Sequence, residues 1–357
     1  MSQQPDVDEE SGFYREAGIE IRHSNVAEHY GDWDTPTTIV SDGAYGTGLF
    51  PNEPDETEDI PGWYEPHIRA WSEHATPQTT LWFWNTELGW AEVHPLLKEH
   101  GWTYRGCNIW NKGMGHIAGN SNTNRMRKFP QVTEVCVQYV RDAEFTGLNG
   151  ESMDMQEWVI SEWDRSGLTR QDANVACGVA DAAFRKYLTK GNLWYYPPPE
   201  RLEAMAEYAN EHGDPEGKPY FAPDGENPID AEDWSRYRSK FDLDAGMTNV
   251  WEEGQVNGSE RVVDGTKAKH INQKPLRLMR RIINATTDRG DVVWEPFGGL
   301  CTGAVAAKQL GRECRAAEIV EQFYESAVER LEDTEQYAQL DDVPADEQAD
   351  LGVFDDP

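Results

Sequence analysis

The stretch that decides the fold is DVVWEPFGGLCTGAVAAKQLGRECRAAEI, residues 291–319. Its first four residues predict a strand that runs into a turn with two adjacent glycines. Residues 302–310 predict a helix, and residues 315–319 predict a second strand. Strand, helix and strand in this order predict an α/β fold with a parallel sheet, in which ligands bind at the carboxyl ends of the strands.

An acid stands at the end of the second strand: Glu318 follows Gly299 by 19 residues. The glycines let the backbone approach a ligand closely, and the carboxylate can accept hydrogen bonds from both hydroxyls of a ribose. The pair therefore points to an adenosine-type ligand. The sequence has no G-x-G-x-x-G and no G-x-x-x-x-G-K-[ST] pattern, which disfavours dinucleotide pyrophosphate and NTP phosphate. A glycine turn that only joins packed elements is the alternative at this point.

Residues 270–276 (HINQKPL), 294–299 (WEPFGG) and 317–319 (AEI) together resemble the C-terminal part of β-class DNA amino-methyltransferases. In that family a H-x-x-Q-K-P-x segment precedes a helix and a D-P-F-x-G turn. The resemblance implies a Rossmann-like methyltransferase sheet with S-adenosylmethionine as cofactor. The cofactor-binding residues that it implies are Gln273 and Lys274 at the methionine end, Glu295, Phe297, Gly298 and Gly299 along the cleft, and Glu318 at the ribose. Glu295 stands where the family has aspartate.

A catalytic D/S/N-P-P-Y/F/W tetrapeptide lies at another strand end in that family, and the match here is Asp42-Gly43-Ala44-Tyr45 after a predicted buried strand, 37–40. The resemblance implies that Asp42 and the Gly43 carbonyl accept hydrogen bonds from the exocyclic amine of a flipped base and aim its lone pair at the methyl group. Tyr45 is expected to stack on that base. Gly43-Ala44 replaces two prolines, so a purely structural turn is the alternative.

Three further segments resemble the same family. Trp110-Asn111-Lys112 is similar to a strand-end W-x-K, which makes Lys112 a candidate DNA-binding residue. Thr133-Glu134 is similar to a H-E strand start, and residues 248–251 (TNVW) are similar to a S/T-D-V-W segment. The strand predicted at 19–23 is expected to complete the sheet beside the strand at 315–319.

Residues 169–188, TRQDANVACGVADAAFRKYL, predict a helix-turn-helix with its turn at Gly178. The second helix presents Arg185 and Lys186, two candidate DNA-binding cations in an acidic chain. A plain helical hairpin is the alternative. Two other basic clusters are candidates for phosphate contacts or ordinary surface: Arg125, Arg127 and Lys128, and Arg236, Arg238 and Lys240.

The composition is strongly acidic. The 357 residues carry a net charge of −33, and Lys (11) is scarcer than Arg (21). Acid spread along the whole chain predicts a halophilic protein of a high-salt cytoplasm, where salt screens the self-repulsion and weakens the argument against DNA as a partner. Five cysteines without a C-x-x-C pair predict free thiols and no metal site. We find no signal peptide and no apolar run long enough to span a membrane.

These patterns predict five segments: a disordered acidic arm (1–15), the catalytic half of the methyltransferase domain (16–150), a mainly helical target-recognition insert with the helix-turn-helix (151–245), the cofactor-binding half (246–335) and an acidic tail (336–357). The resemblance implies a site-specific methyltransferase of double-stranded DNA, acting on adenine N6 or cytosine N4, with a restriction endonuclease as a candidate partner. Asp42 favours adenine. Two alternatives are a catalytically degenerate DNA-binding protein, suggested by Gly43-Ala44, and a methyltransferase of RNA or protein. The oligomeric state is left open.

Overall fold

The computed structural model of the chain describes residues 6–8, 12–113, 127–215, 217–243 and 246–337. The chain divides into unit 1, residues 1–141 and 239–357, and unit 2, residues 142–238. Among the described residues, no helix is both long and apolar enough to cross a bilayer.

The strands are, in chain order, β1 (Asp6–Asp8), β2 (Phe13–Glu16), β3 (Ile19–His23), β4 (Thr38–Ser41), β5 (Thr80–Asn85), β6 (Thr103–Asn111), β7 (Thr133–Val140), β8 (Phe145–Thr146), β9 (Ser152–Met153), β10 (Val250–Glu252), β11 (Val263–Asp264), β12 (Lys267–Ala268), β13 (Val292–Glu295) and β14 (Glu313–Glu318). The α-helices are α1 (Ile60–His74), α2 (Glu87–Glu99), α3 (Met155–Arg165), α4 (Asp172–Ala176), α5 (Ala182–Tyr187), α6 (Pro199–His212), α7 (Ala231–Ser235), α8 (Leu276–Thr286), α9 (Thr302–Leu310) and α10 (Glu321–Glu332).

Unit 1 is built on one mixed sheet with the strand order β1-β2-β3-β14-β13-β4-β5-β7-β6-β10. The five strands from β3 to β5 are mutually parallel. β7 is antiparallel to both of its neighbours, β5 and β6. The predicted α/β fold with a parallel sheet is confirmed, and the antiparallel β7 makes the sheet mixed.

Helices cover both faces of this sheet, because its central strands are apolar on both sides. Val40 and Trp82 pack with α8 and α9 on one face, while Ile39 and Leu81 pack with α1 on the other. Alternating side chains point to opposite faces of a strand, so a run such as Thr80–Asn85 is buried at every position. Strands of this kind occupy the interior of the sheet and fix the positions of the loops at their ends.

At the N-terminal edge of the sheet, the structure confirms the predicted pairing of two strands and contradicts part of the predicted disordered arm. β3 pairs in parallel with β14, as the sequence predicts for 19–23 and 315–319. The disordered arm predicted at 1–15 is wrong in part, because Asp6–Asp8 form β1, which pairs with β2, and Phe13–Glu16 form β2, antiparallel to β3. The Tyr14 side chain is fully buried, and Glu16 accepts a 2.7 Å bond from Lys308 of α9. The acidic composition of this segment predicts disorder, but the burial of one aromatic side chain, Tyr14, is enough to pack the strand onto the sheet.

Unit 2 is mainly helical and has its own core. Trp158 and Trp163 of α3, Leu202 of α6 and Trp234 of α7 are buried together. Asp154 begins α3 with a capping box shared with Glu157. The sequence predicts the insert at 151–245, and unit 2 begins and ends earlier. The predicted helix-turn-helix region contains α4 and α5, which have five and six residues, with Gly178 between them at φ 61°.

Candidate active site

One edge of the unit 1 sheet collects the polar side chains that the sequence motifs single out. β4, β5, β13 and β14 are parallel, so their carboxyl ends share this edge. β7 runs the other way and begins there, and β6, antiparallel to β7, ends there. The residues at or just beyond these strand ends are Asp42, Asn85, Lys112, Glu134, Glu295 and Glu318. The topology therefore brings distant parts of the sequence into one site.

Asp42, Tyr45 and Lys274 form the centre of the site. The Lys274 ammonium donates to Asp42 Oδ1 at 2.7 Å and to the Tyr45 hydroxyl at 3.0 Å. The Tyr45 hydroxyl donates to the same Oδ1 at 2.8 Å. Within the described residues, Asp42 Oδ2 accepts no hydrogen bond, which leaves this oxygen for a ligand. The resemblance implies Lys274 as a cofactor residue; its direct bond to the tetrapeptide is a finding of the structure.

Glu134 and Lys112 extend this centre to a cluster of four charges. Glu134 Oε2 lies 3.4 Å from Lys274 Nζ, and Oε1 is paired with Lys112. Lys112, a predicted DNA-binding residue, is instead buried: its side chain is 7% exposed and its ammonium lies 4.7 Å from the centre of the Trp110 ring. The charge of Lys112 is paired inside the protein, and its contact with DNA stays a prediction.

The four charges balance one another, and the pKa values of Lys274, Glu134 and Asp42 reflect this. Burial lowers the pKa of Lys274, but Asp42 and Glu134 outweigh burial and raise it above its usual value. Burial raises the pKa of Glu134, but Lys274 and Lys112 outweigh it and hold the pKa below its usual value. For Asp42 burial prevails over Lys274, so its pKa is raised. Asp42 is thus both the free acceptor of the cluster and its most basic carboxylate.

A cavity of about 400 Å³ opens between this cluster and the turn after β13. The lining includes all four residues of the tetrapeptide and every predicted cofactor residue: Asp42, Gly43, Ala44, Tyr45, Gln273, Lys274, Glu295, Phe297, Gly298, Gly299 and Glu318. Pockets of roughly 300–1,000 Å³ suit small-molecule ligands. The structure therefore brings together the two motifs that the sequence analysis links only by resemblance.

Glu318 and the Gly298-Gly299 turn form the far end of the cavity. Glu318 Oε2 accepts the Gly299 N–H at 2.6 Å, and Oε1 accepts the Val320 N–H at 2.7 Å. Burial raises the pKa of Glu318 to about 7, and these backbone donors offset only part of the increase. A Cβ on Gly298 would lie 2.6 Å from the Cys301 sulfur, so the turn excludes any side chain here.

Glu295 and Gln273 hold the walls of the cavity. Both carboxylate oxygens of Glu295 are engaged: they accept the N–H groups of Gly303 and Ala304, in the first turn of α9, at 2.8 and 2.7 Å. The longer arm of Glu295, relative to the family's aspartate, therefore satisfies the helix N-terminus. The Gln273 amide donates to the Glu260 carbonyl at 2.8 Å and accepts the Val262 N–H at 3.1 Å.

Sequence reasoning missed several residues of the site. Glu53 and Asn85 bond the tetrapeptide loop, Glu134 pairs with Lys274, and His270 stacks on Phe50 with its ring centre 4.9 Å away. Only Glu134 and His270 lie in a segment that resembles a family motif. Asn85 could have been found because it directly follows the apolar run 80–84, which is typical of a buried strand; no signal in the sequence singles out Glu53.

The two candidate DNA-binding cations of unit 2, Arg185 and Lys186, have local partners. Arg185 forms a 2.8 Å ion pair with Asp181, one turn earlier, and both side chains are more than half exposed. The Lys186 ammonium lies 5.7 Å from the centre of the Tyr195 ring. Exposed pairs of this kind are weak, so both cations can exchange their partners for a ligand. Of the other basic residues, Arg125 lies outside the described residues.

The sequence matches a family of known proteins along most of its length. The profile of the family described as DNA methylase, covering N6 and N4 methyltransferases, matches residues 37–329. The chain is 36% identical over 86 residues to Type II methyltransferase M2.DpnII of Streptococcus pneumoniae, a match that covers 24% of this chain and 31% of that protein. It is 36% identical over 84 residues to Type II methyltransferase M.HindIII of Haemophilus influenzae, covering 22% and 27%. These matches span less than a third of either relative's length.

Two solved structures are similar over most of their length at low identity. The M1.HpyAVI–SAM complex has a TM-score of 0.48 and 15% identity, with 87% of this chain and 98% of that chain covered. PvuII DNA methyltransferase (cytosine-N4-specific) has a TM-score of 0.49 and 10% identity, with 88% and 86% covered.

Proposed function

The chain belongs to the DNA methylase family, and from this premise we propose that it transfers a methyl group from S-adenosylmethionine to the exocyclic amine of adenine (N6) or cytosine (N4) in double-stranded DNA. The observation that carries the proposal is Asp42, which lines the same cavity as Glu318: its Oδ1 is held by Lys274 and Tyr45, and its Oδ2 accepts no bond among the described residues. The catalytic segment precedes the cofactor segment in the chain, which supports the β class. Asp42 at the first position favours adenine.

The residues of the cavity fit S-adenosylmethionine. Glu318 offers acceptors for ribose hydroxyls beside a turn without side chains, and Phe297 gives an apolar wall. Within the described residues His270 Nδ1 is buried in this region and has no hydrogen-bond partner, so it is a polar atom that a ligand can satisfy. When bound, the cofactor supplies an electrophilic methyl group on a sulfonium.

Asp42 and Gly43 act on the amine. We assign the two N–H groups of the amine to Asp42 Oδ2 and the Gly43 carbonyl, neither of which accepts a bond within the described residues. This holds the amine lone pair out of conjugation with the ring and fixes its direction. The amine loses one proton as it gains the methyl group, and Asp42 accepts that proton at Oδ2. Burial raises the pKa of Asp42, which makes it a better acceptor.

Lys274 and Tyr45 fix the carboxylate of Asp42. Both donate to Oδ1, which restrains rotation of the carboxylate and leaves Oδ2 as its unbonded oxygen among the described residues. Glu134 and Lys112 complete the charge balance of the cluster. We assign to the Tyr45 ring the stacking of the flipped base, on the support of its place in the lining of the cavity.

Target recognition is assigned to unit 2. Its helical core is separate from that of unit 1, and the region of the predicted helix-turn-helix carries Arg185 and Lys186 on α5. The proposal extends to a halophilic, cytoplasmic enzyme, supported by the net charge of −33 and the scarcity of Lys. A restriction endonuclease with the same target site is its proposed partner.

Long-read sequencing of DNA from a methylation-deficient host that expresses the chain tests the proposal, since it reports the modified base and its motif together. We expect N6-methyladenine or N4-methylcytosine at one short motif, and none in a host that expresses Asp42→Ala. Unmodified DNA in cells that contain folded wild-type protein contradicts the proposal and favours a DNA-binding protein without turnover. Modified RNA or protein in place of DNA contradicts the assigned substrate.

A further inference from the structure

The tetrapeptide Asp42–Tyr45 keeps a defined shape without the two prolines that its family has at the positions of Gly43 and Ala44. We propose that Asn85 and Glu53 are positioning residues that hold this loop in place of the prolines, and that Phe297 makes glycine obligatory at position 43. The catalytic meaning of the proposal rests on the proposed function. The structural part of the proposal, that two side chains hold the loop, can be tested without measuring methyl transfer.

Asn85 holds the middle of the loop. It ends β5, beside β4, and is fully buried. Its Nδ2 donates to the Ala44 carbonyl at 2.8 Å, while its Oδ1 accepts the Thr86 N–H at 2.9 Å. These two bonds fix the orientation of the amide. The Ala44 carbonyl is therefore committed to the protein, which leaves the Gly43 carbonyl as the backbone acceptor for the amine.

Room for the Asn85 amide comes from a glycine in the next helix. A Cβ on Gly89 of α2 would lie 2.0 Å from Asn85 Oδ1. Gly89 is buried and its N–H is bonded to the Thr86 side chain that caps α2. We call the two side chains that hold the loop, Asn85 and Glu53, the clamp. Its Asn85 part belongs to the packing between β5 and α2, two elements that do not line the cavity themselves.

Glu53 holds the end of the loop. Its Oε1 accepts the Tyr45 N–H at 2.7 Å, and its Oε2 accepts the Leu49 N–H at 2.9 Å and the Thr47 hydroxyl at 3.0 Å. Residues 45–53 therefore fold around one carboxylate, with Gly46 and Gly48 at φ 71° and 61° where the chain turns. Bonds to an ionised acceptor are the strong ones, and here one of them fixes the backbone of Tyr45 directly.

Gly43 has no room for a side chain. A Cβ there would lie 2.7 Å from Phe297 Cδ2 and 2.7 Å from the Tyr64 hydroxyl oxygen. Tyr64 is fully buried, and the Phe297 ring packs on Trp63 and His67 with centres 4.9 Å away, so neither ring can retreat easily. A proline ring at position 43 is larger than a Cβ. Restoring the family's Pro-Pro should therefore damage this loop.

Three variants test the clamp, and a fourth tests the restored prolines. Asn85→Asp keeps the acceptor for Thr86 but loses the donor to Ala44; Glu53→Gln keeps the volume but loses the charge; Gly43→Ala adds the excluded Cβ. We expect kcat for methyl transfer to fall by about 10–10²-fold in each, the effect of a displacement near 1 Å. KM for S-adenosylmethionine should stay within about threefold in Asn85→Asp and Glu53→Gln, which do not crowd the Phe297 ring. The double variant Gly43→Pro/Ala44→Pro should be at least as impaired. Glu56→Gln, an exposed glutamate of the same loop, is the matched control and should retain wild-type kcat.

Hydrogen exchange of residues 43–50 separates this proposal from the proposed function. The Tyr45 and Leu49 amides should exchange at least about tenfold faster in Glu53→Gln than in the wild type and the control, because each loses a bond to an ionised acceptor. If the wild-type protein transfers no methyl group but exchange accelerates as expected, the proposed function fails and the clamp stands. Unchanged exchange in Asn85→Asp and Glu53→Gln, or full activity in Gly43→Pro/Ala44→Pro, overturns the clamp.

Discussion

Asp42 divides its two carboxylate oxygens between structure and chemistry. Oδ1 receives Lys274 and Tyr45, and Oδ2 remains free among the described residues. Replacing Asp42 by Asn keeps the volume but removes the negative charge that Lys274 needs and the site that accepts a proton. We expect kcat to fall by about 10²–10⁴-fold, while S-adenosylmethionine and DNA still bind. Initial rates and calorimetric titrations measure this.

The matched control is Asp59→Asn, at an exposed position before α1 whose side chain does not cap the helix. Wild-type turnover by Asp42→Asn would show that the tetrapeptide is only a turn.

Glu318 should give cofactor binding a dependence on pH. Ribose hydroxyls bind the carboxylate form, and burial raises the pKa of Glu318 to about 7. Affinity should therefore be full well above pH 7 and fall as the pH decreases through 7, by up to about tenfold per further pH unit. Titration calorimetry of S-adenosylmethionine at fixed salt measures this. Glu318→Gln should bind more weakly and show no such slope; a pH-independent wild type contradicts the assignment.

Which site residues could be predicted from the sequence depends on where their partners lie. Asp42, Lys274 and Glu318 belong to motifs whose order and spacing are visible in the chain. The pairing of Lys112 with Glu134 arises because β6 and β7 are neighbours in the sheet. The resemblance to a W-x-K segment, which assigns Lys112 to DNA, contains no information about this partner. Strand ends on one sheet edge are the useful signal, since parallel strands bring them together.

Among the elements, β2 shows how much one short strand contributes. It buries Tyr14 completely and connects to α9 through Glu16 and Lys308. Tyr14→Ala should lower the free energy of unfolding by about 3–5 kcal/mol, the range for truncating a buried aromatic ring. Denaturant titration at constant salt measures this. Leu88→Ala, at a position of α2 that is 57% exposed, is the control and should change the free energy of unfolding by less than about 0.5 kcal/mol. If both variants lower this free energy equally, the role assigned to β2 is wrong.

The helix α5 gives a prediction about DNA. Loss of a base contact from Arg185 or Lys186 should reduce discrimination by about 1–3 kcal/mol, whereas loss of a phosphate contact should weaken all sequences alike and lower the salt slope by about one ion. Methylation of target and single-mismatch duplexes across a salt series by Arg185→Ala and Lys186→Ala separates the two. Lys190→Ala, an exposed lysine just beyond α5, is the control. If both variants methylate every duplex at the wild-type rate, α5 does not contact DNA.

At the scale of the whole molecule, a charge of −33 must be screened. The Debye length falls from about 10 Å at 0.1 M salt to about 3 Å at 1 M, so self-repulsion of the native state should weaken over this range. We expect the thermal midpoint of unfolding to rise steadily with KCl between these concentrations, as measured by calorimetry. A series in sucrose is the control, because sucrose stabilises the folded state without screening charge and so separates general stabilisation from the effect of salt on the thermal midpoint. A midpoint that is independent of KCl contradicts a halophilic protein.

The pairing of β4 with β13 and of β3 with β14 has a consequence for synthesis of the chain. Thr38 leaves the ribosome long before its partner Val293 is made, and at roughly 5–20 residues per second the delay is on the order of 10–50 s. During this time the apolar edges of β3 and β4 lack their native neighbours, which exposes the nascent chain to aggregation. At the salt concentration proposed for this cytoplasm, repulsion between carboxylates is screened beyond about 3 Å, so the net charge does not keep unfinished chains apart during this interval.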